Sequence, residues 1–161
     1  MDIFETIVAR AAGISAESPL ASVLSGRSDI LELTEKSHDA ALRPKQPGGL
    51  THSERAALAS RIALLNNEAV LARHYDGLIG DANLAIADTG FDGGSDVRLR
   101  AILRHTDMVA VDPKGATSGD ISALQSVGIN DADIVRLSEL IAFVSYQIRV
   151  AAGLRLMAEV S

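Results

Sequence analysis

The amino-acid sequence predicts an all-α protein, and three observations support this prediction. Apolar residues make up 47% of the chain but aromatic residues only 3%, with no Trp, so the core must be aliphatic and rich in Ala and Leu, which favour helices. Helix-capping residues recur in front of stretches whose apolar residues have helical spacing. Strand-like alternation is missing, and the strand-like fragment 109–111 is too short to build a sheet.

The N-terminal part is predicted to form three helices, at about 2–12, 19–24 and 28–42. The apolar residues of the first helix fall on one stripe, and Gly13 follows them as a C′ glycine. Ser18 and Pro19 occupy the cap and the first helical position of the second helix. Ser28 or Asp29 can cap the third helix, whose apolar pattern is diluted by a polar middle.

Residues 43–50 are the clearest linker in the chain, because this segment contains two prolines and two glycines. We therefore divide the chain into an N-terminal helical arm, residues 1–43, and a main helical domain, residues 51–161, which forms one compact unit. A chain of 161 residues buries roughly 70% of the surface of its unfolded form, so it needs no covalent cross-links to be stable.

The main domain is predicted to contain helices at about 52–65, 67–79, 81–87, 95–111, 118–127 and 131–158. Thr51 and Glu54 have the spacing of a capping box. Asn66 and Asn67 interrupt the first stretch, because Asn prefers caps and turns, so this stretch forms either two helices or one kinked helix. The apolar seam of the last helix is nearly continuous, and we expect it to extend into a subunit interface.

Charge and cysteine content exclude several classes of protein. Lys and Arg number 15 and Asp and Glu 21, giving a net charge of −6 with no basic patch, which argues against nucleic acid and membrane partners. The chain has no continuous run of about 18 apolar residues, so its sequence predicts no membrane span. Asp2 and Glu5 are acidic at positions where a secretory signal carries positive charge. The absence of Cys excludes disulfides, thiolate metal sites and a cysteine nucleophile within the chain, and it fits a cytoplasmic protein.

Histidine is the most informative residue type for chemistry, because it carries protons near neutral pH. The chain has four histidines, none of them in a metal-binding motif, so we expect neither a metal nor a cofactor. His38 and His52 are expected on the surface, and His105 is expected to have a structural role near a helix end. Serine-nucleophile, P-loop and dinucleotide-binding motifs are absent from the sequence.

The segment around His74 resembles the carboxymuconolactone decarboxylase superfamily, which includes the alkylhydroperoxidase D-like proteins. The family motif is Cys-x2-Cys-x3-His, with a glutamate 12 residues before the first cysteine. When His74 is placed in the histidine position, the two cysteine positions fall on Asn67 and Val70. The glutamate position falls on Arg55, and Glu54 is one residue out of register.

The second half of the chain strengthens this resemblance. Its matching segments are 120–124, 127–129, 133–134, 142–149 and 153–154. The resemblance therefore covers about residues 51–157. It implies an alkylhydroperoxidase D-like helical bundle that assembles into homotrimers or homohexamers, with either peroxidase or decarboxylase activity.

The family's peroxidase activity does not carry over to this chain. That chemistry needs a thiolate to attack the peroxide and a second cysteine to resolve the sulfenic acid, and neither Asn67 nor Val70 can replace a thiol. What remains is His74 as a general acid or base. Arg149 matches the family's arginine and could bind a substrate carboxylate through its guanidinium. These two residues are the catalytic candidates.

Further residues are predicted to surround His74 and contact a substrate. Helical spacing places Asn67 and Val70 on the same face as His74, with Tyr75 beside them. We expect Glu54 to be the partner that orients the imidazole.

Two functional hypotheses follow. The first is a non-redox enzyme that acts on a small organic acid or lactone through His74, and the second is a catalytically silent oligomeric or binding module of the same fold. A solvent-reaching cavity at His74 would favour the enzyme, whereas a pocket filled by Leu and Val side chains would favour the silent module.

Overall fold

The structure, a computed structural model, describes residues 1–80 and 83–160, and every regular element within them is helical. The helices are α1 (Ile7–Ala12), α2 (Ala21–Ser25), α3 (Ser28–Leu42), α4 (His52–Leu65), α5 (Ala69–Asp76), α6 (Leu84–Ala87), α7 (Val97–Val111), α8 (Ser118–Ser126) and α9 (Asp131–Glu159). Two short 3₁₀ turns accompany them, at Ile3–Glu5 and Pro113–Gly115. The predicted all-α class is therefore confirmed for the described part of the chain.

Local capping explains where several helices begin. The capping boxes of α4, at Thr51 and Glu54, and of α8, at Thr117 and Asp120, are both formed. Asp96 caps α7 by accepting a hydrogen bond from the Leu99 amide. The helix therefore starts at Val97, whereas the sequence analysis predicted a start at about residue 95.

The first two N-terminal helices are shorter than predicted, whereas α3 has the predicted bounds of residues 28–42. The Thr6 hydroxyl accepts from the Ala9 amide and caps α1, so the predicted helix 2–12 is split into a 3₁₀ turn and α1. Gly13 ends α1 at φ 72°, as its sequence position predicted. The Ser18 hydroxyl accepts from the Ser15 amide instead of capping the next helix, which starts only at Ala21.

The predicted break at Asn66 and Asn67 is present and forms two helices. Asn67 has a left-handed φ of 58°, a conformation that Asn tolerates better than most residues. α5 therefore starts at Ala69 and is shorter than the predicted helix 67–79. Part of the predicted helix 81–87 lies outside the described residues, and α6 covers its end.

One aliphatic core holds the elements around α4 and α9. The core includes buried residues of α4, α5, α7 and α9, and the arm contributes Ile7, Ala11 and Leu42 to it. A second buried cluster lies within the arm and packs against Val150 and Leu154 of α9. These contacts bring α1 and α3 of the arm against the main domain, where they help to form the candidate site.

The linker 43–50 forms hydrogen bonds with α4 on one side and with α9 on the other. Arg55 of α4 is 2% exposed and donates hydrogen bonds to the carbonyls of Leu50, Ala41 and Pro47. On the other side, the Gly49 amide donates to Asp133 of α9. The division into an arm and a main domain remains a prediction, but the linker has a fixed path between them.

The length and apolar composition of α9 also bear on the membrane analysis of the sequence. Although it contains no continuous apolar run, it is long and apolar enough to cross a membrane by length and composition, with 33% of its most apolar window buried. Core helices of soluble proteins meet the same criteria, and α9 packs against α1, α3, α4 and α7. One such helix is therefore a weak indication of a membrane span.

Candidate functional site

Two histidines from different parts of the chain meet in the structure. His74 lies on α5 and is half-buried, whereas His38 lies on α3 and is only 2% exposed. Their Nε2 atoms are 3.0 Å apart, within hydrogen-bond distance. The predicted surface position of His38 is wrong, because α3 turns this residue toward the main domain.

Aromatic side chains surround the histidine pair. The ring of His38 stacks on Tyr75 at an interplanar angle of 13° and meets the edge of Phe143. Tyr75 is fully buried and donates its hydroxyl hydrogen to Oε1 of Gln147 on α9. Because burial raises the pKa of Tyr75, its hydroxyl stays protonated. Tyr75 is therefore a packing residue behind His74 and does not face a ligand.

The surroundings keep both imidazoles neutral at pH 7. Burial, together with the nearby His38, Arg10 and Arg43, lowers the pKa of His74 to about 4. Burial also lowers the pKa of His38, although the adjacent Asp39 opposes this effect. A neutral imidazole can accept a proton through one ring nitrogen while its other nitrogen donates a hydrogen bond.

Asp39 determines which nitrogen of His74 is free. The Asp39 carboxylate lies 3.6 Å from Nδ1 of His38, which favours a proton on that nitrogen. Nε2 of His38 is then an acceptor, and Nε2–H of His74 donates to it. The lone pair of His74 is consequently on Nδ1, which is the nitrogen that can take a proton from a ligand.

A cleft between α1 and α5 leads to this imidazole. The His74 cleft, as we call it, has a volume of about 280 Å³ and is lined by Ile7, Arg10, Ala11, Val70, Leu71, Arg73 and His74. Arg10 and Arg73 are exposed, and neither guanidinium forms a salt bridge among the described residues. Arg10 interacts electrostatically with Glu35 of α3, whose carboxylate accepts a hydrogen bond from the Ile7 amide. The two cations beside a neutral imidazole make this cleft suited to a small anion.

The predicted site residues are only partly brought together. Val70 and His74 line the same cleft, as predicted. Asn67 does not share their face, because it precedes α5 in a left-handed conformation and lines another cleft with Arg155. Its neighbour Glu68 forms an ion pair with Arg155.

The predicted pairing of Glu54 with His74 is wrong. Glu54 accepts a hydrogen bond from the Thr51 amide in the capping box, and its other carboxylate oxygen lies 3.1 Å from a guanidinium nitrogen of Arg98. The partner that orients His74 is His38. Glu54 therefore stabilises the start of α4 and is not part of the His74 cleft.

The two predicted catalytic residues, His74 and Arg149, line different clefts. Arg149 projects from α9 into a space between α7, α8 and α9, which it shares with His105. His105 is 6% exposed and lies in the middle of α7, not near a helix end as expected. The cationic partners of His74 are instead Arg10 and Arg73.

The sequence contains a signal for His38 but none for Arg10. His38 falls on the stripe formed by Leu31, Thr34 and Leu42, the buried face of α3. A histidine on a buried stripe has to find a polar partner, and the other histidines of the chain were candidates. Arg10 could not be found this way, because it lies on the exposed side of α1.

Metal binding has no obvious location in the described residues. They contain no group of three or more His, Cys, Asp or Glu side chains placed to hold a metal ion.

No protein-family model, curated protein or solved structure matches the chain. The functional argument therefore depends on the geometry of the clefts.

Proposed function

We propose that this chain is a non-redox enzyme that transfers protons on a small organic acid or lactone, with His74 as the catalytic base and acid. One observation carries the proposal: His74 is hydrogen-bonded to the buried His38 and lines a cleft with two exposed arginines, Arg10 and Arg73. The arginines would bind the carboxylate of the substrate, and the histidine pair would handle the proton.

The proposed step begins with a carboxylate bound by Arg10 and Arg73. Nδ1 of His74 removes a proton from a carbon next to a carbonyl group, and the electron pair of the C–H bond stays on the substrate as an enolate. The imidazolium of His74 keeps its hydrogen bond to His38, and it returns the proton to the same or a neighbouring carbon.

The resemblance to the carboxymuconolactone decarboxylase superfamily is also part of this proposal. We infer an alkylhydroperoxidase D-like bundle, and the break between α4 and α5 before His74 supports it. Asn67 and Val70, at the cysteine positions, supply no sulfur, so thiol peroxidase activity is not proposed.

We further propose a cytoplasmic homo-oligomer, a trimer or hexamer, as the resemblance implies. Most of the predicted apolar seam of α9, from Ile134 to Ala151, is buried in the core of the chain itself and is not available for an interface. The interface is instead supported by other, exposed apolar side chains along α9, namely Val135, Leu156, Met157 and Val160 of its C-cap. Light scattering tests the assembly, and a monomer near the chain mass of 16.9 kDa at micromolar concentration would contradict it.

Exchange of a carbon-bound hydrogen in D₂O tests the proposed chemistry without knowledge of the natural product. The probe is levulinate, a small keto acid, and loss of its proton signals is followed by ¹H NMR. We expect the protein to accelerate exchange above buffer and His74→Gln to reduce this acceleration by about 100-fold or more. The melting temperature should shift by only a few degrees, because His74 is half-buried.

His52→Gln is the matched control, because His52 is exposed at the start of α4 and its Nε2 contacts the Pro44 carbonyl. This variant should exchange levulinate at the rate of the unmodified protein. Exchange no faster than in buffer, or equal exchange by the His74→Gln variant, would contradict the proposal and favour the silent binding module.

A further inference from the structure

A second cleft, the Arg149 cleft, lies between α7, α8 and α9 and has a volume of about 390 Å³. This volume is in the range typical of small-molecule pockets. Its apolar walls come from three helices, with Val109 on α7, Ile121 on α8 and Ile141 on α9. Ala142 leaves the space open, because its small side chain is exposed where a larger one would fill the cleft.

The polar end of this cleft is formed by one face of α9. Ser145 and Arg149 are four residues apart and therefore adjacent on the helix surface, and both line the cleft. The Ser145 hydroxyl and the Arg149 guanidinium have no hydrogen-bond or ion-pair partner among the described residues. A planar guanidinium next to a hydroxyl donor is an arrangement that suits a carboxylate.

Two more polar residues line the cleft. The Ser138 hydroxyl donates to the Ile134 carbonyl within α9. His105 is 6% exposed, and its Nδ1 has no hydrogen-bond partner among the described residues. Burial lowers the pKa of His105, and Asp120 opposes this effect, so the ring adds no cation at pH 7. No Asp or Glu is among the described residues that line the cleft. Arg149 is therefore the one charge that these lining residues contribute.

We propose that the Arg149 cleft binds an amphipathic monocarboxylic acid, with the carboxylate on Arg149 and Ser145 and the hydrocarbon tail between Val109, Ile121 and Ile141. A single cation matches a single negative charge, and the apolar walls exclude strongly polar tails. A second arginine is absent from the described lining, unlike in the His74 cleft, so a dianion is not expected here. This proposal does not depend on the activity proposed for His74.

The test compares hexanoate with hexanamide, a neutral molecule of nearly the same shape. Binding is followed through the ¹H–¹⁵N NMR signals of Ala142 and Ser145, which report on this cleft alone. At pH 7 we expect hexanoate to bind at least tenfold more tightly than hexanamide. Arg149→Gln should reduce hexanoate affinity to the level of the amide, and Ala142→Leu should weaken both ligands at least tenfold by filling the space.

Arg27→Gln is the matched control, because Arg27 is an exposed arginine that contacts Asp29 outside the cleft. It should leave both affinities unchanged. Equal affinity for hexanoate and hexanamide, or unchanged hexanoate binding by the Arg149→Gln variant, would overturn the proposal. Signal shifts that follow protein concentration and not ligand concentration would also overturn it, since a second copy of the chain would then fill the cleft.

Discussion

The His74 cleft and the Arg149 cleft contain the same two residue types, histidine and arginine, but arrange them differently. In the first, the imidazole has a histidine partner and two cations beside it. In the second, Nδ1 of His105 has no hydrogen-bond partner among the described residues, and Arg149 lies at the end of an apolar wall. A hydrogen-bonded, oriented imidazole is suited to proton transfer, whereas an unpartnered ring beside one cation is suited only to binding.

The largest expected difference between the two clefts is in ligand affinity when the arginines of the His74 cleft are replaced. Combining Arg10→Gln with Arg73→Gln should weaken levulinate binding at the His74 cleft by about 10- to 100-fold, because each removes a charge-assisted hydrogen bond. Hexanoate binding at the Arg149 cleft should not change. NMR titration followed at Val70 and Ala142 measures both affinities in one sample, and a parallel loss at the two positions would show that the clefts are not independent.

A second prediction uses the pKa of His74, which is about 4 in the folded protein and 6.5 as its ordinary value. As the pH falls from 6.5 to 4, the unfolded chain binds a proton that the folded chain does not, so stability decreases in this window and levels off below it. Allowing for the partial exposure of the ring, we expect a loss of about 1–2 kcal/mol.

Urea unfolding at pH 7 and pH 4.5 measures this loss of stability. His74→Gln should reduce the loss. The part that remains in the variant comes from His38 and His105, whose pKa values burial also lowers. An identical pH dependence in the variant would show that His74 titrates normally. Levulinate exchange should persist down to about pH 5 and decline as His74 becomes protonated near pH 4.

The smallest expected effect concerns Glu54, which does not line the His74 cleft. Glu54→Ala should lower the free energy of unfolding by about 0.5–2 kcal/mol, because the capping box of α4 and the contact with Arg98 are lost. Levulinate exchange should be unaffected. Asp120→Ala in the capping box of α8 is the matched control for the loss of a cap, and a drop in exchange specific to Glu54→Ala would restore this residue to the site.

Local sequence signals predicted the helices better than they predicted the site. The capping boxes at Thr51 and Thr117 depend on residues three positions apart, so they could be identified without a structure. Val70 was placed correctly with His74 because both lie within α5. Asn67 was misplaced because a single left-handed residue breaks helical spacing.

The remaining site residues depend on contacts that are distant in the sequence. His38 is 36 positions from His74, and its role depends on how α3 packs against the main domain. Arg149 was assigned to His74 by analogy with the family, but the direction of a side chain on a 29-residue helix depends on which neighbours cover each face. Such information is tertiary and has no local signature.

The fastening of the linker by Arg55 has a consequence for how the histidine pair is maintained. Because Arg55 holds three carbonyls between Ala41 and Leu50, the C-terminal end of α3 is tethered to α4, and His38 meets His74 at a high effective concentration. Extra residues in the linker would add little closure entropy, since this entropy grows only slowly with loop length. They would, however, release the fixed C-terminal end of α3, so the distance between the two imidazoles depends on a guanidinium that touches neither of them.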